Sequence, residues 1–319
     1  MQPGRPRSAA SSPRGRDGSP PLRAGARAGC GASDLRARSL RIRFANPVLL
    51  ASGTAGYGWE LLGVADLSCL YGLVTKAVSL APRRGNAAPR VAEFRGGMLN
   101  SIGLANPGAD QVARDELPWL PRQVRAQVLV NVVGFTIEEY AEVIARLESV
   151  SGHAGYELNL SRPNTSAGGV ECGADPDSVR AVVSRCRAAT TRPALRNSSP
   201  ALPDIPSIAA VAHDAGADGI TLVNTMPGYL FDGDAPRLGN GFGGVSGPAL
   251  CRPACWRSSA PPPDFRARAD HRRGWRSDRP PRVWGYLRAG ATLVSSADGG
   301  LPNLGARNGS SERLAQHGG

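Results

Sequence analysis

The chain predicts a parallel α/β architecture, and three observations point that way. Short apolar runs recur from about residue 40, at 47–51, 71–76, 127–133, 155–160, 193–196 and 219–224. One of them, Val128-Leu-Val-Asn-Val-Val133, is nearly continuous, as in strands that a parallel sheet buries on both faces. Helix signals fall between the runs. Thr136-Ile-Glu-Glu139 is a capping box, followed by Tyr140, Val143, Ile144 and Leu147 at helical spacing. Asp175-Pro176 sets a capping Asp before Pro in the first turn. Strand and helix in alternation indicate a parallel α/β protein. A barrel and a doubly wound sheet both fit the alternation. With 319 residues the chain has room for one barrel, typically about 250 residues, or for two ordinary domains.

Two segments break the pattern. Residues 1–38 are rich in Arg, Gly, Ala, Ser and Pro and are expected to be disordered. Residues 251–282 begin Cys-Arg-Pro-Ala-Cys-Trp and pass through three prolines into an Arg/Asp-rich stretch. Val283–Val294 then reads as a last helix and an eighth strand, and 301–319 as a Gly-rich disordered tail, so the folded unit is expected at 39–300.

The net charge is +12. Residues 1–38 carry eight Arg against Asp17 and Asp34, and residues 251–282 carry nine Arg against Asp264, Asp270 and Asp278. Each segment contributes +6, so the rest of the chain is neutral. Basic residues in aperiodic Pro/Arg stretches read as solvated arms, with no nucleic-acid recognition motif beside them. No apolar stretch approaches the roughly 20 residues of a membrane span. The N-terminal arginines are not followed by the apolar region of a secretory signal, and repeated Gly and Pro disfavour an organelle transit helix. The six cysteines show no framework spacing. Cys251 and Cys255 stand as a lone pair, so no metal site is expected and reduced thiols in the cytoplasm are the default.

Of the 38 Lys and Arg residues, only Lys76 is lysine. It ends the apolar run Tyr71-Gly-Leu-Val-Thr-Lys-Ala77, which reads as a buried strand delivering a cation to a pocket. The plain alternative is a strand-end lysine that reaches solvent. Asn131, Asn159 and Asn224 each lie in or at the end of an apolar run, although Asn is depleted in strands. Three such placements suggest a polar constellation at one end of a sheet. Amides donate and accept without charge, which suits a planar imide or pyrimidine edge.

The blocks Gly97-Met-Leu-Asn-Ser-Ile-Gly-Leu-Ala-Asn-Pro-Gly108 and Glu157-Leu-Asn-Leu-Ser-Arg-Pro-Asn164, with Val130-Asn-Val132 and Val223-Asn-Thr225, resemble the dihydroorotate dehydrogenases, most of all the class 1B catalytic subunit. The resemblance runs from about Leu40 to Gly247, with a fainter echo at Val283–Val294. It implies a TIM (β/α)8 barrel, here incomplete around strand 7 and after strand 8. A glycine-rich strand end is missing from 251–282, and Ser295-Ser-Ala-Asp298 replaces the expected Gly-Thr-Ala. A reading-frame shift is the simplest account, and an insertion the other. The resemblance also implies bound FMN and oxidation of dihydroorotate to orotate by hydride transfer to FMN, in pyrimidine (UMP) biosynthesis. The implied assembly is a homodimer with a subunit carrying FAD and an iron–sulfur cluster that passes electrons to NAD. The alternatives are a class 1A-like homodimer using fumarate, or a degraded barrel that binds no flavin.

Carried over residue by residue, Ser52, Lys76, Ala77, Asn131, Asn159, Val223 and Gly247 match flavin-contacting positions. Lys76, Asn100, Ser101, Ile102, Gly103, Leu104, Asn159, Asn164, Asn224 and Thr225 match substrate-contacting positions. Asn106 and Asn240, in Asn-Pro and Asn-Gly pairs, read as structural. Two positions depart. The family's base is a cysteine where this chain has Arg162, and a guanidinium stays protonated and takes no proton. Ser161, Thr165 and Cys172 are the available substitutes. The family's flavin-contacting lysine falls on Asn197. Arg196 is one residue away and so points to the opposite face of its strand. An impaired enzyme is the expectation.

Overall fold

The computed structural model describes residues 37–45, 47–61, 70–161, 172–247, 250, 266–271, 286–287 and 291–296, all within one unit, Ser33–Gly319. Eight strands close into a barrel: β1 (Val48–Leu50), β2 (Gly72–Val74), β3 (Gln127–Val132), β4 (Gly155–Asn159), β5 (Ala194–Ser198), β6 (Gly219–Leu222), β7 (Arg266–His271) and β8 (Ala291–Ser296). Each pairs in parallel with the next, and β8 returns to β1. The fold is a TIM barrel, so the doubly wound alternative falls.

Period-two alternation sorts the strand residues into two layers. Leu49, Val74, Leu129, Leu195 and Leu293 form one buried cluster with Leu40, Ile42 and Phe44. Those last three come from a hairpin, Ala37–Ser39 paired with Ile42–Phe44, which plugs one end of the barrel. The first described strand of that hairpin starts at Ala37. The other parity, with Leu50, Leu73, Val128, Val130, Val132, Tyr156, Leu158, Ile220 and Leu222, packs outward against the helices.

Helix α1 is Leu117–Gln123, α2 is Ile137–Glu148, α3 is Pro176–Ala189 and α4 is Ile205–Asp214. The expected caps are in place. Glu139 N–H donates to Thr136 Oγ1 at 3.2 Å, and Ser178 N–H donates to Asp175 Oδ2 at 2.9 Å. Asp204 caps α4 in the same way, through Ser207 N–H at 3.1 Å. Glu139 Oε2 reaches back to the Phe135 N–H at 2.6 Å, one residue before the usual partner in a capping box. Thr136→Ala should therefore cost about 1 kcal/mol of stability, measured by urea unfolding. An unchanged midpoint would show that the cap is idle.

The region around strand 7, where the barrel is expected to be incomplete, still supplies a paired strand. Residues 266–271 pair with β6 from Gly219↔Arg266 to Leu222↔Ala269, and with β8 from Ala267↔Ala291 to His271↔Ser296. A strand ladder is made by backbone N–H and C=O groups, so a segment without the expected glycine-rich end still closes it. Among the described residues, every α-helix of seven or more residues precedes β6. The tail after residue 296 lies outside the described residues.

Beside the barrel mouth stands an antiparallel sheet in the order Val91–Phe94, Gly97–Asn100, Phe242–Ser246, Met226–Tyr229. Tyr229 and Phe242 of this sheet are exposed, as is Phe231 of the adjoining two-stranded hairpin, and Tyr229 stacks on Phe231 at 6.2 Å between centroids. No helix among the described residues is long and apolar enough to cross a membrane.

Candidate active site at the barrel mouth

The C-terminal ends of the strands gather most of the residues singled out above. Lys76 follows β2 on the parity of inward-facing Val74. Its own N–H is held by Gly56 O at 2.8 Å, and its side chain is half-buried. Among the described residues no carboxylate lies within ion-pair distance of it. The lone lysine thus brings positive charge to the mouth with no counter-ion among the described residues. Ala77 is buried, and its carbonyl accepts from Tyr57 Oη at 3.2 Å. Ser52 sits half-buried just past β1.

Asn131 in β3 is buried, and its Nδ2 donates to Glu157 Oε1 at 2.7 Å. Asn159, at the end of β4, faces Asn131 Oδ1 through its own Nδ2 at 3.5 Å. Asn197 lies opposite Asn159 in the β4–β5 register and is fully buried. Ser161 Oγ lies 3.4 Å from Asn197 Oδ1. Asn159 Oδ1, Asn197 Nδ2 and Ser295 Oγ are buried with no hydrogen-bond partner. Such orphans are rare in folded proteins and call for a partner the protein does not supply. Arg196 has the outward parity, and its Nη2 donates to the Gly173 carbonyl, so it is directed away from the Asn197 side.

Val223 is buried, Asn224 N–H donates to Ser198 O at 2.8 Å, and Asn224 Oδ1 accepts from Thr225 N–H at 2.7 Å. On the neighbouring sheet, Asn100 Nδ2 donates to Gly244 O at 3.0 Å, and Ser101 Oγ accepts from Asn86 Nδ2 at 2.7 Å. Ile102 is half-buried and its carbonyl accepts from Asn86 N–H at 3.2 Å. Gly103 and Leu104 turn with φ of 71° and 57°. A Cβ at Gly103 would sit 2.4 Å from Asn86 Oδ1, so glycine is required there. Gly247 has φ 141°, with Gly96 O 2.6 Å from where a Cβ would stand. Asn106 spends its amide on Ser79, Leu104 and Gly108, a structural role. Arg162, Asn164 and Thr165 lie outside the described residues, as do 272–285 and 297–319, which follow strands β7 and β8 where the resemblance puts the phosphate site. Cys172 is half-buried.

A polar network at the opposite, N-terminal end escaped the sequence. Glu148 Oε1 accepts from Tyr156 Oη at 2.8 Å, Thr190 Oγ1 at 2.6 Å and Arg192 Nε at 3.1 Å. His153 Nε2 lies 2.7 Å from Tyr156 Oη. These residues are spread over more than forty positions of no common motif, and only barrel closure brings them together.

The match to known proteins fits this geometry. The family model for dihydroorotate dehydrogenase matches residues 34–256. The chain belongs to the dihydroorotate dehydrogenase family. Three similar relatives are named dihydroorotate dehydrogenase B (NAD(+)), catalytic subunit. The protein from Citrifermentans bemidjiense is 44% identical over 211 residues, covering 66% of this chain and 69% of the relative. That from Desulforudis audaxviator is 45% identical over 215 residues, 67% and 69% of the two chains. That from Geotalea uraniireducens is 41% identical over 222 residues, 69% and 72%. The name "catalytic subunit" implies a separate partner subunit in those proteins. Dihydroorotate dehydrogenases are flavin-dependent oxidoreductases. At the mouth of this chain the buried orphans Asn159 Oδ1, Asn197 Nδ2 and Ser295 Oγ offer both acceptor and donor capacity.

Proposed function

We propose that the barrel mouth binds FMN and dihydroorotate and oxidises dihydroorotate to orotate in pyrimidine (UMP) synthesis, at a rate well below that of its relatives. The reading also takes in a cytoplasmic setting, a homodimer, and a partner subunit with FAD and an iron–sulfur cluster that passes electrons to NAD. The observation that carries it is the ring of Lys76, Asn131, Asn159 and Asn197 around unpartnered polar atoms. When bound, the flavin supplies the hydride acceptor. Lys76 holds the anionic substrate and the ring edge by charge and hydrogen bonding. Asn131, Asn159, Ser52, Ala77, Val223 and Gly247 hold the cofactor. Asn224, Thr225 and the Asn100–Leu104 turn orient the substrate, with Asn164 beside the base position.

Two residues account for the impairment. A base close to the carbon that loses its proton is required, and Arg162 at that position stays protonated. A cation near the reduced ring would stabilise its negative charge, and neutral Asn197 lacks it. The phosphate end adds a third cost. The family's glycine-rich strand end is missing from 251–282 and Ser295-Ser-Ala-Asp298 replaces its Gly-Thr-Ala, so two or three charge-assisted hydrogen bonds of about 1.5–3 kcal/mol are lost, roughly 10³-fold or more in affinity.

Titration of FMN into purified protein, followed by flavin fluorescence quenching, should show binding weaker than micromolar. Lys76→Ala should weaken it further by roughly 10–100-fold, the loss of one charge-assisted bond. Absence of any quenching at millimolar protein and flavin would favour the flavin-free barrel. Submicromolar binding would show that the phosphate is held by residues other than the expected glycines.

A further inference from the structure

The barrel interior holds a buried carboxylate that the reaction as described leaves without a role. Glu157 shares the inner face of β4 with Asn159 and lies one residue pair deeper. Its Oε1 accepts from Asn131 Nδ2 at 2.7 Å and its Oε2 from Thr221 Oγ1 at 2.8 Å. A carboxylate accepts hydrogen bonds and offers none, so Asn131 must turn its NH2 toward Glu157. Asn131 Oδ1 then points the other way, to Asn159, and only the NH2 of Asn159 can meet it, at 3.5 Å. The Asn159 carbonyl is what remains, buried and without a partner.

We infer that Glu157 is a positioning residue that fixes the polarity of the site. Through Asn131 it makes Asn159 present an acceptor to the ligand, so the mouth selects a ring edge bearing N–H at that point. This rests on the proposed binding of flavin and substrate at the mouth. The hydrogen-bond chain itself is a property of the protein alone. Without a carboxylate at 157 both amides are free to turn over, and Asn159 offers donor and acceptor alike.

The test compares Glu157→Leu, Glu157→Gln and Thr221→Val with the unmodified full chain. Side-chain amide resonances of 15N-labelled protein are read first, assigned by their loss in Asn131→Asp and Asn159→Asp. In E157L the amide signals of Asn131 and of Asn159 should both shift, although the hydrogen bond from residue 157 runs to Asn131. In T221V, which removes the Thr221 hydroxyl bond to Glu157, both should stay. In E157Q the Asn131 amide proton should move, as a neutral oxygen replaces a carboxylate, while Asn159 keeps its signal. Orotate affinity, read from perturbation of the absorbance of FMN added in excess, should fall about tenfold in E157L, one hydrogen bond's worth, and stay within about twofold in E157Q and T221V. If the unmodified chain binds neither flavin nor orotate, the functional proposal fails and the amide signals alone decide this one. An Asn159 signal unmoved in E157L overturns the inference. So does an orotate affinity unmoved in E157L when the unmodified chain binds it, or equal losses in T221V and E157L. Should E157L not fold, an Asn131 amide proton unmoved in E157Q overturns it instead.

Discussion

Arg162→Cys combined with Asn197→Lys should raise dihydroorotate oxidation by roughly 10²–10⁴-fold, the contribution of a positioned general base. The unmodified chain, lacking that base, should turn over below about a thousandth of the rate of an intact relative. The two changes act on different steps. A thiol at 162 has an ordinary pKa near 8.5, so a useful fraction is thiolate at mildly alkaline pH. The R162C gain should therefore grow between pH 7 and 9, whereas Asn197→Lys alone should stabilise the charge that builds on the ring as it is reduced, without following the thiol's titration. Asn197 is fully buried with an unpartnered Nδ2, so lysine there enters a site that already lacks a partner for its donor. Turnover in stopped-flow flavin bleaching, with FMN in excess, separates the two effects. A normal rate in the unmodified chain would show that another group takes the proton, and Ser161 and Cys172 are the side chains to replace next. No gain in the double variant would place the defect in the flavin phosphate end.

The strand positions were legible because parallel strands carry their own pattern. Each of the six expected runs overlaps a barrel strand, β5 running on past its run to Ser198, and the side chains of Thr136 and Asp175 cap their helices. The seventh strand was not legible. Its sequence, Arg-Ala-Arg-Ala-Asp-His, has neither apolar run nor glycine, and its place is set by backbone pairing with β6 and β8. At the site, period two alone put Arg196 and Asn197 on opposite faces, and the packing agrees. Glu157 was visible in the same block as Asn159 but carried no signal of its role. Its partners Asn131 and Thr221 are 26 and 64 residues away, and only barrel register sets them beside it.

Acid should destabilise the barrel through His153. Burial, with the positive charge of Arg192 adding to it, pushes the imidazole from its ordinary 6.5 down to about 4, against the opposing pull of Glu148. In the unfolded chain His153 takes up a proton near 6.5, and in the folded chain only near 4. Between those values the unfolded state holds more protons, so stability falls as pH falls and levels off below about 4. A gap of that width corresponds to about 3 kcal/mol. Glu148 works in the same direction. Burial raises its carboxyl, but hydrogen bonds from Thr190 and Tyr156 and the charge of Arg192 outweigh that and leave it below the usual carboxylate range. Its contribution is complete above the ordinary carboxylate pKa and is lost as pH falls through the lowered value. The geometry explains why His153 resists protonation. Tyr156 Oη donates to Glu148, so it accepts from His153 Nε2–H, and Nδ1 is buried with no partner. Urea unfolding at pH 7, 5.5 and 4.5 should therefore show a steep loss in the unmodified chain. His153→Gln keeps an N–H for Tyr156 but does not titrate, and should flatten most of the loss between pH 6.5 and 4.5; the Glu148 contribution is lost only below that window. An equal slope in both proteins would assign the acid sensitivity to other groups.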